Sequence, residues 1–230
     1  MEIDLSKCEN TLFKIYVKSI LSIPLNVLVT KYGSGIKNTL IKISLPQDWN
    51  LLRSYKLMAG IYIFVNGKNS YLGSSQNLFN RCFVKHKNKA FTNTSKHTKF
   101  YSNVVKNTWD AFTLFILELI PNHIELFVKL NPNYILNLNE NKVLKLLNLY
   151  ELTIVEQIYM DIIQPTFNNN LFANWSTYNK GAKGFIRDLI FNNKLYLYFL
   201  NISFNKSTIE LHKKNITDKK FSDITKKKYL

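Results

Sequence analysis

The chain has 230 residues, 46% hydrophobic and 14% aromatic, and its 31 Lys and Arg outnumber 15 Asp and Glu to give a formal charge of +16. That apolar content can bury a core and excludes wholesale disorder, and the length suits one sizeable domain with a small appendage. The charge favours a polyanionic partner, because neutralising phosphates is how such an excess of cations gives affinity, and no run of eighteen apolar residues offers a membrane span.

In chain order, residues 1–57 read as an N-terminal extension. Within it LFKIYVKSIL has helical apolar spacing, and LNVLVTKYGSGIKNTLIKISL reads as two short strands about the GSG turn. From Gly60 the pattern sharpens. GIYIFV is a strand, NGKN supplies an Asn-Gly turn suited to a tight hairpin, and SYLG is the returning strand. Ser75 can cap the next helix, QNLFNRCFVKHK. SKHTKFYSNVVKN reads as a further helix, and AFTLFILEL as a buried strand ended by Pro121. Residues 121–146 fit either a hairpin or a helix and loop. A strong helix, LLNLYELTIVEQIYMDII, stops before Pro165. Beyond it come a short helix about 185–191, an alternating strand KLYLYFLNISF, and a tail whose residues 212–230 hold seven lysines.

This order, with two strands joined directly by a tight turn, predicts an α+β fold: a small antiparallel sheet flanked by helices, with N-terminal and C-terminal extensions. The expected domain covers 58–170 with an insertion at about 121–148, and 171–230 forms a basic region suited to nucleic acid.

Lysine outnumbers arginine 28 to 3, and glycine and proline are scarce, as in proteins of A/T-rich genomes such as those of mitochondria, plastids or certain parasites. Part of the charge therefore reflects codon usage. Arg81 stands out against that background, since Lys serves solubility equally well but cannot present a planar fork to a phosphate. Tyr62 and Tyr71 lie on adjacent strands, close enough to share a ligand, and Gly60 and Gly73 permit close backbone approach. On an α-helix Asn77, Arg81 and Lys85 share one face while Leu78, Phe79, Cys82 and Phe83 cover the packing side. A cationic strip beside two phenols suits an anion. His97 is a candidate phosphate contact in the basic, aromatic strip KHKNKAFTNTSKHTKFY, whereas His123 and His212 read as lone surface histidines. Cys8 and Cys82 offer neither a disulfide framework nor metal-ligand spacing.

GIY, YLG nine residues on, and SSQNLFNR together resemble the motif of the GIY-YIG nuclease family. They are most similar to the intron-encoded homing endonucleases of fungal mitochondria, which commonly read YIGSS-x-NL-x-x-R. That family's metal-binding Glu lies on a later helix, often as E-Q-x-x-I-D followed by Pro and a closing Asn. Here VEQIYMDIIQPTFN supplies Glu156, Gln157, Asp161, Pro165 and Asn168 in that order. A helical wheel puts Thr153, Gln157 and Asp161 on the expected solvent face and Glu156 beside Leu152, Tyr159 and Ile163. A carboxylate among such neighbours is costly unless paired or metal-bound. Glu151 and Glu118 are weaker substitutes.

The resemblance implies a DNA endonuclease. Mg²⁺ (or Mn²⁺) on Glu156 would act as a Lewis acid, Arg81 would bind non-bridging phosphate oxygens, and Tyr62, assisted by Tyr71, would take the proton of the attacking water. Arg81, the metal and nearby lysines are expected to lower the Tyr62 pKa from its ordinary value near 10. Asn168 would fix the end of the site, and Gly73, Asn77, Lys85, His86 and His97 would line the nucleic acid. The expected location is the mitochondrion, with the product made in the organelle, because MEIDLSKCEN resembles neither a signal peptide nor a presequence.

Three features depart from the family pattern. The family often carries a His four residues after its Arg, whereas here Lys85 holds that place and His86 follows, about 140° round an α-helix from Arg81. The stretch between Glu118 and VEQIYMDII is long. The region after Asn168 is short for a modular DNA-binding tail, although YLYFLNISFNKSTIELHKKN reads as a strand and a short recognition helix capped by Ser207. These departures leave an alternative: a domesticated, non-cleaving RNA-binding protein of a mitochondrial ribosome or intron ribonucleoprotein.

Overall fold

The computed structural model of the chain describes residues 5–23, 41–92, 98–169 and 173. Its architecture is α+β: four antiparallel strands in the order β1-β4-β2-β3, packed with helices. The elements are α1 (Thr11–Leu21), β1 (Ile41–Ser44), a 3₁₀ stretch (Gln47–Tyr55), β2 (Ala59–Asn66) and β3 (Asn69–Ser75). Next comes α2, π-helical over Phe79–His86 and α-helical over Lys87–Lys89, and then α3 (Lys99–Asn107). β4 (Thr113–Ile120), α4 (His123–Leu130) and α5 (Leu138–Ile163) complete the order.

The hairpin forms where NGKN places it, with Asn66 paired to Asn69. The two loop residues are Gly67 and Lys68, and Gly67 has φ of 57° at the first position, the arrangement of a type II′ turn. Strand alternation then sorts the side chains. Ile61, Ile63 and Leu72 face α5, which covers them with Leu152, Val155, Ile158 and Tyr159. Tyr62 and Phe64 face the opposite way, under Leu78 and Cys82 of α2 and Phe100 and Val104 of α3. β4 lies inside the sheet and sends Phe115 and Leu117 to the first cluster and Leu114 and Ile116 to the second. A strand covered on both faces reads as a continuous apolar run, which is how FILEL betrays itself.

The pairing of β2 with β4 slips between Ile61, opposite Glu118, and Tyr62, opposite Ile116. The extra residue, Leu117, makes a bulge, a device that re-aims neighbouring side chains, and it falls beside Tyr62.

Residues 41–55, assigned from sequence to the N-terminal extension, belong to this unit: β1 pairs with β4, and the 3₁₀ stretch buries Trp49 and Leu52 in the cluster under α2 and α3. The first strand expected about the GSG turn, in 24–40, lies outside the described residues. α1 packs Phe13 and Val17 against Phe127 of α4 and Leu144 and Leu147 of α5. Of the two readings of 121–146, helix and loop is the one that forms. Asn137 and Glu140 then open α5 with a capping box, eight residues before the segment in which the sequence places that helix.

Residues 151–160 of α5 are all buried. This corrects the expected solvent face. Thr153 and Gln157 are 1% and 2% exposed, and their polar groups are satisfied inside: Thr153 donates to the Leu149 carbonyl at 2.9 Å, and Gln157 accepts the Ala173 N–H at 2.8 Å. The Asp161 side chain, His97, His212 and the helix, strand and tail expected after residue 173 lie outside the described residues. Among those described, no helix is long and apolar enough to cross a membrane.

Candidate active site

Tyr62 is 0% exposed, and its cross-strand partner is Gly73. A Cβ on Gly73 would lie 2.5 Å from the Tyr62 hydroxyl oxygen. The glycine of YLG therefore leaves the space that the tyrosine of GIY occupies. Tyr71, two residues earlier on β3, stacks on Phe100 at 4.3 Å and 12°.

The turn into α2 is held by Ser75 and Asn77. The Ser75 hydroxyl accepts the Asn77 N–H at 3.0 Å, and the Asn77 side chain accepts the Asn80 N–H at 2.8 Å. Asn77, expected on the nucleic acid, thus starts the helix. The following stretch is π-helical, with hydrogen bonds closed over five residues, so residues five apart stand on nearly the same face. This corrects the wheel. The partner of Arg81 on its face is His86, and Lys85 is exposed. The five-residue spacing from Arg81 to His86 is taken up by the wider turn.

Both side chains end on the same oxygen. Arg81 Nε donates to the Tyr62 hydroxyl at 3.2 Å, and His86 Nε2 lies 2.7 Å from it. His86 Nδ1 in turn lies 2.8 Å from the hydroxyl of Tyr101 on α3.

Burial raises the Tyr62 pKa well above its ordinary value, with Tyr71 adding to the effect and Arg81 opposing it. Arg81 therefore acts in the expected direction, but desolvation of the phenolate outweighs it. Tyr71 is raised too, by burial first, with Arg81 opposing and Glu156 adding. Burial, together with Arg81 and Lys89, holds His86 well below the usual histidine range, so its imidazole is neutral at physiological pH. A protonated phenol thus faces a neutral imidazole.

Glu156 reaches the site from α5, on the opposite face of the sheet from Tyr62. It is 6% exposed, and the Ser74 hydroxyl donates to its Oε2 at 2.6 Å. β3 is an edge strand, so groups from the two faces meet around it. Their charges interact there: Glu156 raises Tyr71, and Arg81 favours the charged form of Glu156. Burial is nevertheless the largest influence on Glu156 and pushes its carboxyl up to about 7.

Asn168 fastens the same edge. Its Oδ1 accepts the Leu72 N–H at 2.9 Å, and its Nδ2 donates to the Leu72 carbonyl at 2.8 Å. Thr166 Oγ1 accepts the Ser70 N–H at 3.1 Å, and the Phe167 N–H donates to the Ser70 carbonyl at 2.8 Å. The segment after Pro165 is laid along β3, and Asn168 acts on the strand's backbone.

The other acids have their own partners. Glu151 pairs with His123 at 2.8 Å, and His123 Nδ1 meets the Tyr16 hydroxyl at 3.0 Å, joining α1, α4 and α5. His123 is 2% exposed, which corrects its reading as a surface residue. Glu118 accepts the Tyr159 hydroxyl at 3.1 Å. Ser74 and Tyr101 were not singled out from sequence. Alternation along YLGSS offered a signal for Ser74, since it sets that side chain on the face opposite Tyr71 and Gly73.

Among the described residues no three His, Cys, Asp or Glu gather as a metal cluster. A lone carboxylate still fits Mg²⁺, which takes one or two protein oxygens and completes its shell with water and phosphate. The fit here rests on a buried acid held at the strand edge by Ser74. Residues 49–109, which supply α2 and α3, contain ten Lys and Arg and no Asp or Glu.

Compared with known proteins, the chain matches no family model, no curated protein and no solved structure.

Proposed function

We propose that the chain is a Mg²⁺-dependent DNA endonuclease of the intron-encoded homing type, with a GIY-YIG nuclease core, acting in the mitochondrion. The observation that carries this reading is the convergence of Arg81 and His86 on the Tyr62 oxygen, beside a buried Glu156 that shares its electrostatics with Tyr71 and Arg81. Phosphodiester hydrolysis needs an activated water and compensation of charge on the phosphoryl oxygens. Tyr62 receives the proton of the attacking water once its own has passed to His86. Arg81 has five donors, and with Nε–H on Tyr62 its outer edge is left to grip the non-bridging oxygens. Glu156 holds the metal, with Ser74 orienting its carboxylate, and the metal when bound supplies Lewis-acid stabilisation at the phosphate and the leaving oxygen. Tyr71 lies between the two halves, and Asn168 keeps β3 in place. The acid-free stretch 49–109 supplies cations, and no competing acids, for a phosphate backbone.

The displaced histidine, the short C-terminal region and the heavy basicity suit a non-cleaving RNA-binding protein, and the contact of His86 with the Tyr62 oxygen at 2.7 Å weighs against the first of these. The test is to incubate the protein with intronless and intron-bearing double-stranded DNA in Mg²⁺. Cleavage confined to the intronless allele is the expected result. Tight binding to structured RNA with no cleavage of either DNA would favour the ribonucleoprotein reading.

A further inference from the structure

We propose that Tyr101 is a positioning residue of this site: it holds the His86 imidazole in the tautomer whose bare Nε2 faces Tyr62, and it gives the proton leaving Tyr62 a way out to solvent. The inference rests on the nuclease reading and adds a residue and a proton path to it.

It follows from matching donors with acceptors. The Tyr62 oxygen is fully buried and accepts from Arg81 Nε–H, a group able only to donate. Its other close partner is His86 Nε2 at 2.7 Å. A proton on Nε2 would also point at that oxygen, stranding the Tyr62 O–H as a buried donor without an acceptor, which folded proteins avoid. The arrangement that satisfies both groups has Tyr62 O–H donating to a bare Nε2. The ring proton then sits on Nδ1 and donates to the Tyr101 oxygen at 2.8 Å. Tyr101 is only partly buried, and its hydroxyl, accepting from Nδ1–H, keeps its own proton to pass on.

Charge decides what a transferred proton does next. Around the ring stand Arg81 and Lys89 from α2, Tyr62 and Tyr71 from the hairpin, and Tyr101 from α3. An imidazolium in this buried, cation-flanked place is disfavoured. A proton arriving at Nε2 is therefore matched by departure of the Nδ1 proton to Tyr101, and of the Tyr101 proton to bulk water. One proton leaves the Tyr62 oxygen, one reaches solvent, no electrons change hands, and the ring ends as its other neutral tautomer. The phenolate so formed takes the proton of the attacking water. The ring resets when the relay runs backward and Tyr62 returns that proton to water in the site.

Tyr101→Phe keeps the ring that packs against Phe100 at 5.2 Å and His86 at 5.7 Å, and removes only the oxygen. The test is nitrogen NMR of the histidine-labelled full chain, which reads which nitrogen of His86 carries hydrogen, paired with cleavage kinetics. Expected are Nδ1–H in the wild type, loss of that preference in Tyr101→Phe, and a fall in kcat of about 10–100-fold at unchanged KM. Nε2–H in the wild type, or an unaltered kcat in the variant, overturns the proposal. A wild type that cleaves no nucleic acid overturns the nuclease reading and with it the catalytic role of Tyr101. The NMR result then separately reports whether the hydrogen-bond order itself is right.

Discussion

Arg81 and His86, five residues apart in the chain, reach the same phenolic oxygen, that of Tyr62, at 3.2 and 2.7 Å. An α-helix cannot aim two such side chains together, and the π-helical run over Phe79–His86 can. The wider turn is thus what couples a guanidinium and an imidazole to one phenol.

Deleting the exposed Val84 should turn this run into ordinary α-helix, because the shortened spacing of four keeps both side chains on one face. The shortened protein is expected to fold and to cleave DNA within a few-fold of the wild-type rate. Replacing the histidine by Ala in that shortened protein should abolish cleavage. Circular dichroism and a plasmid nicking assay check both.

Gly73→Ala pushes a methyl group to 2.5 Å from the Tyr62 hydroxyl and 2.7 Å from the ring carbon bearing it. Such overpacking should cost about 1–3 kcal/mol in urea unfolding. Adding Tyr62→Phe relieves the first clash and leaves the second, so the double variant should recover part of the loss. Full additivity would mean that the ring does not lie over Gly73.

Glu156 carries a pH signature. Its carboxyl in the folded protein is pushed from an ordinary 4.5 to about 7, chiefly by burial. Between those values the folded state binds more protons than the unfolded chain, so stability falls as pH rises through the window and levels off above it. The loss should be on the order of 3 kcal/mol in metal-free solution. Glu156→Gln, uncharged throughout, should flatten the profile. Mg²⁺ added at pH 8 should raise the Tm of the wild type and leave that of the Gln variant unchanged.

Asn168 gives both ends of its amide to the Leu72 backbone. Asn168→Asp keeps the acceptor for the Leu72 N–H but sets a second oxygen against the Leu72 carbonyl. It should destabilise the chain by about 1–3 kcal/mol and slow cleavage through misplacement of β3. Hydrogen exchange at the Leu72 amide reports the clamp directly.

How far these features could be read from sequence depends on how local they are. The hairpin, β4 and the burial of Glu156 were legible, because alternation, an unbroken apolar run and a helical wheel describe elements that keep their ideal period. The direction of His86 was not, because the wheel assumes 100° per residue and the π turn departs from that period over Phe79–His86. The same wheel groups Thr153 and Gln157 with Asp161 on one polar face and so assigns them to solvent, although a Thr can bond back to its own helix and a Gln can meet a distant backbone. His123 read as solitary because its partners, Tyr16 and Glu151, lie 107 and 28 residues away in the chain. Tyr101 fell outside the candidate set for the same reason, its link to His86 being made only when α2 and α3 pack together.

The most direct test compares the rate of Mg²⁺-dependent DNA strand scission by the wild type with that of Glu156→Ala, both shown to be folded. The account predicts scission by the wild type and a fall of at least about a thousandfold in the variant, roughly 4 kcal/mol of lost stabilisation. An undiminished rate in Glu156→Ala, or no scission by the wild type, would contradict it.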